Sequence, residues 1–318
     1  MKNIYLNVYK SNLANLRKAK KSVENNDVIS IPTETVYGLA GNAYSEISVK
    51  KIFKLKKRPK YNPLILHYVS LNKLREDAEL NISFIKLYKS LCPGPITFIL
   101  NKKKKSKISK TANSRKKTIA IRFPKHKVAR SLLKIINFPL AAPSANIFSK
   151  LSPTSAWDVV DEFNGKVKII LDGGPCKIGL ESTILDLTTR PTILRQGSIT
   201  KKKIEKILKK KVFLKKKITQ IKSPGQLSFH YSPGIPLLIN KKLPKKNGAF
   251  ITFGKQYKNK KNYFNLSQKG NLNEAANNLY KTMRKIKKLK YQSINVCSIP
   301  NEGIGCAIND RLKKASFK

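Results

Sequence analysis

Apolar residues recur along the chain in two rhythms. Leu13, Leu16, Ala19 and Val23 fall at helical spacing within 11–26, as do Ile47, Ile52, Phe53 and Leu55 within 46–57. The spacing predicts further helices over 81–91, 126–136, 155–162, 200–210 and 273–289. Short apolar or β-branched runs separate them and read as buried strands at 27–31, 64–67, 96–100, 118–124, 140–146, 168–172, 179–186 and 191–197, with a weak one at 211–214. Three more follow at 236–239, 248–253 and 293–298. This alternation predicts an α/β fold, and no internal repeat interrupts it. Residues 33–41 read as a polar loop, and the Lys-heavy run 101–117 as an exposed hairpin tip or mobile loop.

Punctuation divides the chain in two. Ser223-Pro224-Gly225 and His230-Tyr231-Ser232-Pro233-Gly234 exclude a long helix or central strand between 218 and 236, so that stretch reads as a linker. The tail beyond it predicts a small open α/β domain. A chain of 318 residues has room for both.

Charge changes the picture less than its size suggests. The formal net charge is +50, which would favour nucleic acid. Yet only ten of the 67 basic residues are Arg, and Lys is spread through every segment. That pattern fits a codon bias as well as a binding surface, and a dedicated groove more often interleaves Arg with aromatics. Weak, non-specific RNA binding is the expectation. Cys92, Cys176, Cys297 and Cys306 form no CxxC pair and the three His lie far apart, so zinc spacing is absent and reduced thiols in a cytoplasmic protein are expected. No stretch approaches about 18 apolar residues, so no membrane span is expected. With 17 carboxylates in all, a divalent ion would arrive with phosphates rather than in a protein cage.

The candidate chemistry gathers at strand ends. Lys56-Lys57-Arg58-Pro59 follows a helix that the proline ends, and the expected helix end at Arg58 leaves Lys56 and Arg58 on a loop beside the next strand. Asn62 and His67 lie nearby; a phosphate site and a solvated Lys cluster are both open readings of this stretch. Thr33 and Thr35, with the Glu34 carboxylate between them, follow the first strand, and Gly38 and Gly41 permit close backbone approach; a small-ligand site and a polar turn are both open readings. Arg122 is a lone cation in an apolar strand and needs an anionic partner, a ligand or a salt bridge, with the scarcity of acids favouring the ligand. Ser144 and Asn146 end a strand of small residues. Ser152-Pro153-Thr154 starts the helix 155–162, whose N-terminus is a candidate anion site. Ser182 lies within a strand and Arg195 at a strand end. Cations and hydroxyls with little acid, no Ser–His–Asp order, no Cys–His pair and no complete Walker loop describe a site that stabilises negative charge. Nucleotidyl transfer, with an oxyanion of one substrate attacking ATP, fits it.

Pro32-Thr33-Glu34-Thr35-Val36-Tyr37-Gly38-Leu39, Lys56-x-Arg58 with Pro59 and Pro63-Leu64, Cys92-Pro93-Gly94-Pro95-Ile96-Thr97 and Ala142-Pro143-Ser144-Ala145-Asn146 together resemble the YrdC/Sua5 family. The resemblance runs from about residue 11 to the end. The linker motifs and the ending Gly303 to Ala315 look like the longer Sua5 form; Ala40 departs from the glycine common there.

The resemblance implies a twisted mixed sheet flanked by helices in a YrdC-like catalytic domain (1–214), a linker covering the active site (215–236) and a Rossmann-like C-terminal domain (237–318). It implies that L-threonine, bicarbonate and ATP give threonylcarbamoyl-AMP and diphosphate, with Mg2+ carried by the ATP phosphates. A separate transferase complex would then place the threonylcarbamoyl group on the adenosine beside the anticodon of ANN-decoding tRNAs. Thr35, His67, Arg122 and Ser182 would face threonine, with Arg122 pairing its carboxylate. Lys56, Arg58, Asn62, Thr118, Ser144, Asn146, Ser152, Arg195 and Tyr231 would face ATP, with Lys56 and Arg58 catalytic and Tyr231 a lid. An RNA-binding module without catalysis is the competing class, and an accessory domain of a larger carbamoylating protein a third.

Overall fold

The computed structural model describes residues 7–215, 223–225, 230–257 and 260–316. Eleven of the described strands form one sheet: β1 (Val8–Lys10), β2 (Ile29–Ile31), β3 (Gly38–Asn42), β4 (Ile65–His67), β5 (Ile96–Asn101), β6 (Thr118–Arg122), β7 (Leu140–Ala141), β8 (Ile170–Asp172), β9 (Thr183–Asp186), β10 (Thr192–Arg195) and β11 (Phe213–Leu214). They hydrogen-bond in the order β1-β8-β2-β3-β7-β4-β6-β5-β9-β10-β11. Pairing is mixed: β4 runs parallel to β6, β5 antiparallel to β6 and parallel to β9. The helices of this part are α1 (Leu13–Glu24), α2 (Glu46–Lys56), α3 (Leu71–Arg75), α4 (Ile82–Leu91), α5 (Lys127–Ile135), α6 (Ala156–Phe163) and α7 (Lys201–Leu208).

The period-2 alternation of the central strands decides what each face of the sheet meets. Leu66, Ile121, Phe98 and Leu185 point into the main core with Phe84 and Leu87 of α4 and Ile204 and Leu208 of α7. Their neighbours Ile65, Ala120, Ile99 and Ile184 form a separate small cluster on the opposite face. That second face also carries His67, Arg122 and Thr97, which the register sets side by side. A third core, with Ala129 and Leu132 of α5 and Ala19 and Val23 of α1, covers the β2–β8 side.

The tail forms a four-stranded parallel sheet, ordered β12-β15-β13-β14, from β12 (Leu237–Leu238), β13 (Gly248–Thr252), β14 (Tyr263–Asn265) and β15 (Ser293–Val296). It is flanked by α8 (Leu272–Lys288) and α9 (Gly305–Ser316). Its core takes in Leu151, Leu180 and Tyr231 from outside the tail, so the two parts share buried surface.

Several expectations are corrected. The polar loop expected at 33–41 gives way to strand β3 from Gly38; a Cβ at Gly41 would lie 2.3 Å from Ser48 Oγ, so its missing side chain serves the packing of α2. The helix expected to end at Arg58 ends at Lys56, with Lys57 left-handed. Ser182 precedes β9 rather than lying within it. Helix α6 is capped by Ser155, whose hydroxyl accepts from Asp158 N. Asp158 Oδ2 in turn accepts from Thr154 N and Ser155 N. With the chain's own carboxylate seated there, this helix start is not the anion site that the Ser152-Pro153-Thr154 run suggested. The linker expected at 215–236 falls partly outside the described residues. No helix among the described residues is long and apolar enough to cross a membrane.

The Lys-rich run 101–117 is the expected hairpin connection, joining antiparallel β5 and β6 with Lys103, Lys104, Lys105 and Lys107 exposed, but part of it is anchored. Ile108 and Ala112 are buried in the main core, Leu64 N donates to Ala112 O at 2.8 Å, and the Ser109 and Thr111 hydroxyls both donate to Glu46 of α2. Two small apolar anchors among many lysines carry no periodicity, which is why the pattern hides them. Replacing Glu46→Ala should release this run and speed its cleavage by trypsin several-fold while the far-ultraviolet spectrum is unchanged. Cleavage at the wild-type rate would contradict the anchor.

Candidate active site

A small cavity lies against the second face of the central strands. Ile65 and His67 of β4 and Arg122 of β6 line it, with Thr33, Thr35 and Gly38 before and at the start of β3. Ser144 enters from the turn after β7, Arg58 from the loop after α2, and Glu181, Ser182 and Arg195 from around β9 and β10. Pro224, His230 and Tyr231 close the remaining side. The strand pairing brings together positions more than 150 residues apart, and no local motif could state that. The space open to water between these walls is about 30 Å3.

Three buried guanidinium groups face this space under different terms. Arg122 NH2 donates to Glu34 Oε1 at 2.7 Å and NH1 to Thr35 Oγ1 at 2.8 Å, while Nε has no partner. Its anion is therefore a protein carboxylate, the alternative that the shortage of acids had made less favoured. Burial alone would raise the Glu34 carboxyl; the Arg122 charge and hydrogen bonds outweigh it and hold the group below its ordinary range. Among the described residues Arg58 has neutral acceptors alone, Asn62 O at 2.9 Å, Asn62 Oδ1 at 2.5 Å and Pro63 O at 3.0 Å. Arg195 donates to Ser182 O at 3.0 Å and Ser182 Oγ at 3.1 Å. A Cβ at Gly197 would meet Thr183 N at 2.4 Å, so this close passage of chain needs glycine. Burial, then the Arg195 charge, pulls the Arg58 pKa down, and burial lowers that of Arg195; both stay protonated at neutral pH.

Other expected residues stand behind the wall. Lys56 is buried in the last turn of α2, and its Nζ donates to the Ser144 and Asn146 carbonyls at 2.5 Å. Burial, then Arg58, depresses its pKa. Asn146 is spent within its own turn, Nδ2 donating to Ile147 O and Lys150 O while Oδ1 accepts from Ser144 Oγ. Asn62 orients Arg58. Ser152 Oγ donates to Glu181 Oε1 at 2.5 Å. Thr118 shares the face of Ala120 and Arg122, two and four residues before them, and is not part of the wall. Ser182 Oγ lies 2.7 Å from Thr97 Oγ1. Thus Thr35, Arg58, His67, Arg122, Ser144, Ser182, Arg195 and Tyr231 line one cavity, while Lys56, Asn62, Thr118, Asn146 and Ser152 do not.

Sequence reasoning gave no role to Glu181 and His230, and it read the Glu34 carboxylate as facing a ligand rather than Arg122. Glu34 lies within the Thr33–Thr35 motif and could have been matched to Arg122. Glu181 accepts from Ser152 Oγ, from Tyr280 OH at 3.2 Å and from Arg311 Nε at 2.9 Å. Burial alone would raise this carboxyl; the Arg311 and Arg195 charges hold it at about 2. Both carboxylates are fully engaged, and the described residues contain no cluster of three or more groups able to hold a metal ion.

A mixed α/β sheet with arginines and hydroxyls gathered at one end of a face is an arrangement suited to binding and orienting anions. The family models narrow that reading. One described as Telomere recombination, for the Sua5, YciO and YrdC proteins, matches residues 21–197, and one described as Threonylcarbamoyl-AMP synthase, C-terminal domain, matches 199–316. The chain is 34% identical to the threonylcarbamoyl-AMP synthase of Pyrococcus abyssi over 95% of its own length and 94% of the relative. It is also 34% identical to that of Bacillus subtilis, over 95% and 92%. The crystal structure of P. abyssi Sua5 complexed with L-threonine superposes with a TM-score of 0.88 at 32% identity, covering 97% of this chain and 96% of that one. The chain belongs to the Sua5/YrdC family.

Burial, then the Arg122 charge, pushes the His67 imidazole well below its ordinary pKa; burial does the same to His230. Folded protein keeps both neutral where the unfolded chain takes up protons, so stability falls as pH drops below about 6.5, by about 1.4 kcal/mol per pH unit for each. The Tm should fall between pH 7 and pH 5, and His67→Gln should make that fall shallower. An unchanged slope in the variant would contradict a neutral His67.

Proposed function

We propose that this protein is a threonylcarbamoyl-AMP synthase, converting L-threonine, bicarbonate and ATP into L-threonylcarbamoyl-AMP, diphosphate and water. The observation that carries this reading is the pair of buried guanidinium groups, Arg58 and Arg195, whose hydrogen-bond acceptors among the described residues are all neutral, on a shared cavity wall. Cations held so are ready for an anion with several charges. Threonine's amine and bicarbonate join as a carbamate with loss of water; a carbamate oxygen attacks the α-phosphorus and the bond to diphosphate breaks. The nucleophile comes from substrate, in keeping with wall hydroxyls that are bonded to Asn146, Thr97 and Arg122 rather than to a general base.

Arg58 and Arg195, with Ser144, face the phosphates and neutralise charge as it moves onto diphosphate. Lys56 acts one step back, holding the 144–146 turn by its carbonyls, while Asn62 fixes Arg58 and Asn146 and Ser152 brace the wall. Thr118 extends the ATP side along β6. On the threonine side Thr35, His67 and Ser182 surround Arg122, whose remaining donors meet the amino-acid carboxylate while Glu34 fixes its plane. With Glu34 and Glu181 engaged, Mg2+ enters with ATP as part of the substrate. The catalytic part spans 1–214 and the C-terminal domain 237–318, and in the linker 215–236 Tyr231 covers the nucleotide and excludes water. The product passes to a separate transferase complex for tRNA modification in the cytoplasm. The charge of +50 adds weak, salt-sensitive RNA affinity.

Diphosphate release from ATP in the presence of threonine and bicarbonate tests these roles. Arg58→Ala should lower it by about a hundred- to a thousandfold in a protein that still folds, the scale of losing a charge-stabilising group; wild-type turnover would remove the role. Tyr231→Phe should raise the nucleotide KM or uncouple hydrolysis from threonine, and unchanged kinetics would remove the covering role.

A further inference from the structure

Two helices of the C-terminal part reach the cavity wall through one carboxylate. Arg311 of α9 is fully buried, and its Nε donates to Glu181 Oε2 at 2.9 Å, while NH1 donates to Asp310 Oδ2 at 2.7 Å. Lys314, on the same face one turn on, pairs with Asp310 at 2.8 Å. The four charges therefore balance as a chain, Lys314 and Arg311 on Asp310 and Arg311 on Glu181, which is also close enough to feel the Arg195 charge. Tyr280 of α8 donates to the same Glu181 carboxylate, and its ring stacks on Tyr231 at 6.0 Å. The Arg311 guanidinium lies 5.1 Å from the Tyr231 ring centroid.

Glu181 shares its wall with Arg58 and Arg195. An uncompensated carboxylate there would compete with an incoming polyphosphate for the same cations and repel it. We infer that Arg311 is a positioning residue for the nucleotide: by taking the charge of Glu181, it leaves Arg58 and Arg195 free for phosphate. The C-terminal domain thus supplies a counter-charge that the first domain lacks. This rests on the phosphate role given above to Arg58 and Arg195.

The test is equilibrium binding of ATP and, separately, of L-threonine to the full chain. Arg311→Met should weaken ATP about tenfold or more while threonine stays within about threefold. Because a lone buried Glu181 can also unfold the protein, the decisive variant is Arg311→Met with Glu181→Gln, which removes both charges and the penalty for an unpaired one. It should return ATP affinity to within about threefold of wild type. Equal loss of ATP and threonine binding in a folded Arg311→Met, ATP affinity unchanged by it, or no recovery in the double variant would each overturn the inference. Wild type that binds neither ATP nor diphosphate would overturn the inference and the synthase reading together. The expected binding pattern in an enzyme that forms no product would overturn the synthase reading alone.

Discussion

Arg58, Arg122 and Arg195 are all taken out of water around one cavity, with Glu34 and Glu181 the carboxylates on or beside it. Burying a guanidinium without an equal counter-charge is costly, so such a cluster persists where something else repays it. Each carboxylate is hydrogen-bonded to another guanidinium, Glu34 to Arg122 and Glu181 to Arg311, so Arg58 and Arg195 have no direct ion pair among the described residues. The rest of the site follows from this imbalance. Neutral acceptors from Asn62, Pro63 and Ser182 orient the cations without cancelling them.

The sheet makes that arrangement possible. Strands β4, β6, β5 and β9 bury one face completely against α4 and α7, which secures the fold and frees the other face for chemistry. The register His67–Arg122–Thr97 lays polar groups across three strands at one level, where no run of adjacent residues could. The C-terminal part contributes packing against Leu151, Leu180 and Tyr231, and also charge, through Arg311.

Much of this was legible in the chain. The strands at 96–100 and 118–124, the helices at 81–91 and 273–289 and the tail strands at 236–239, 248–253 and 293–298 announced themselves by period and apolar content, because their burial is one-sided or complete. Lone cations in apolar strands, Arg122 and Arg195, flagged the site for the same reason that burying them is costly. Helix α9 was illegible: Ala307, Ile308, Leu312 and Ala315 keep helical spacing, but Arg311 takes a core position in that stripe and glycines precede it. A buried arginine looks polar until its partner is known, and Glu181 lies 130 residues away. Strand β14 hid likewise, three half-buried residues in a Lys- and Asn-rich stretch. Lys56 read as a loop cation because the proline at 59 gave no sign that the helix stops at 56 and turns the ammonium onto the Ser144 and Asn146 carbonyls.

The most direct measurement is mass-spectrometric analysis of product from purified protein, ATP, isotope-labelled L-threonine and bicarbonate, with no tRNA and no second protein. The account predicts a nucleotide that carries both the threonine label and the bicarbonate carbon, formed in step with diphosphate and absent when either co-substrate is withheld. ATP consumed without incorporation of threonine, or no nucleotide product at all, would contradict it.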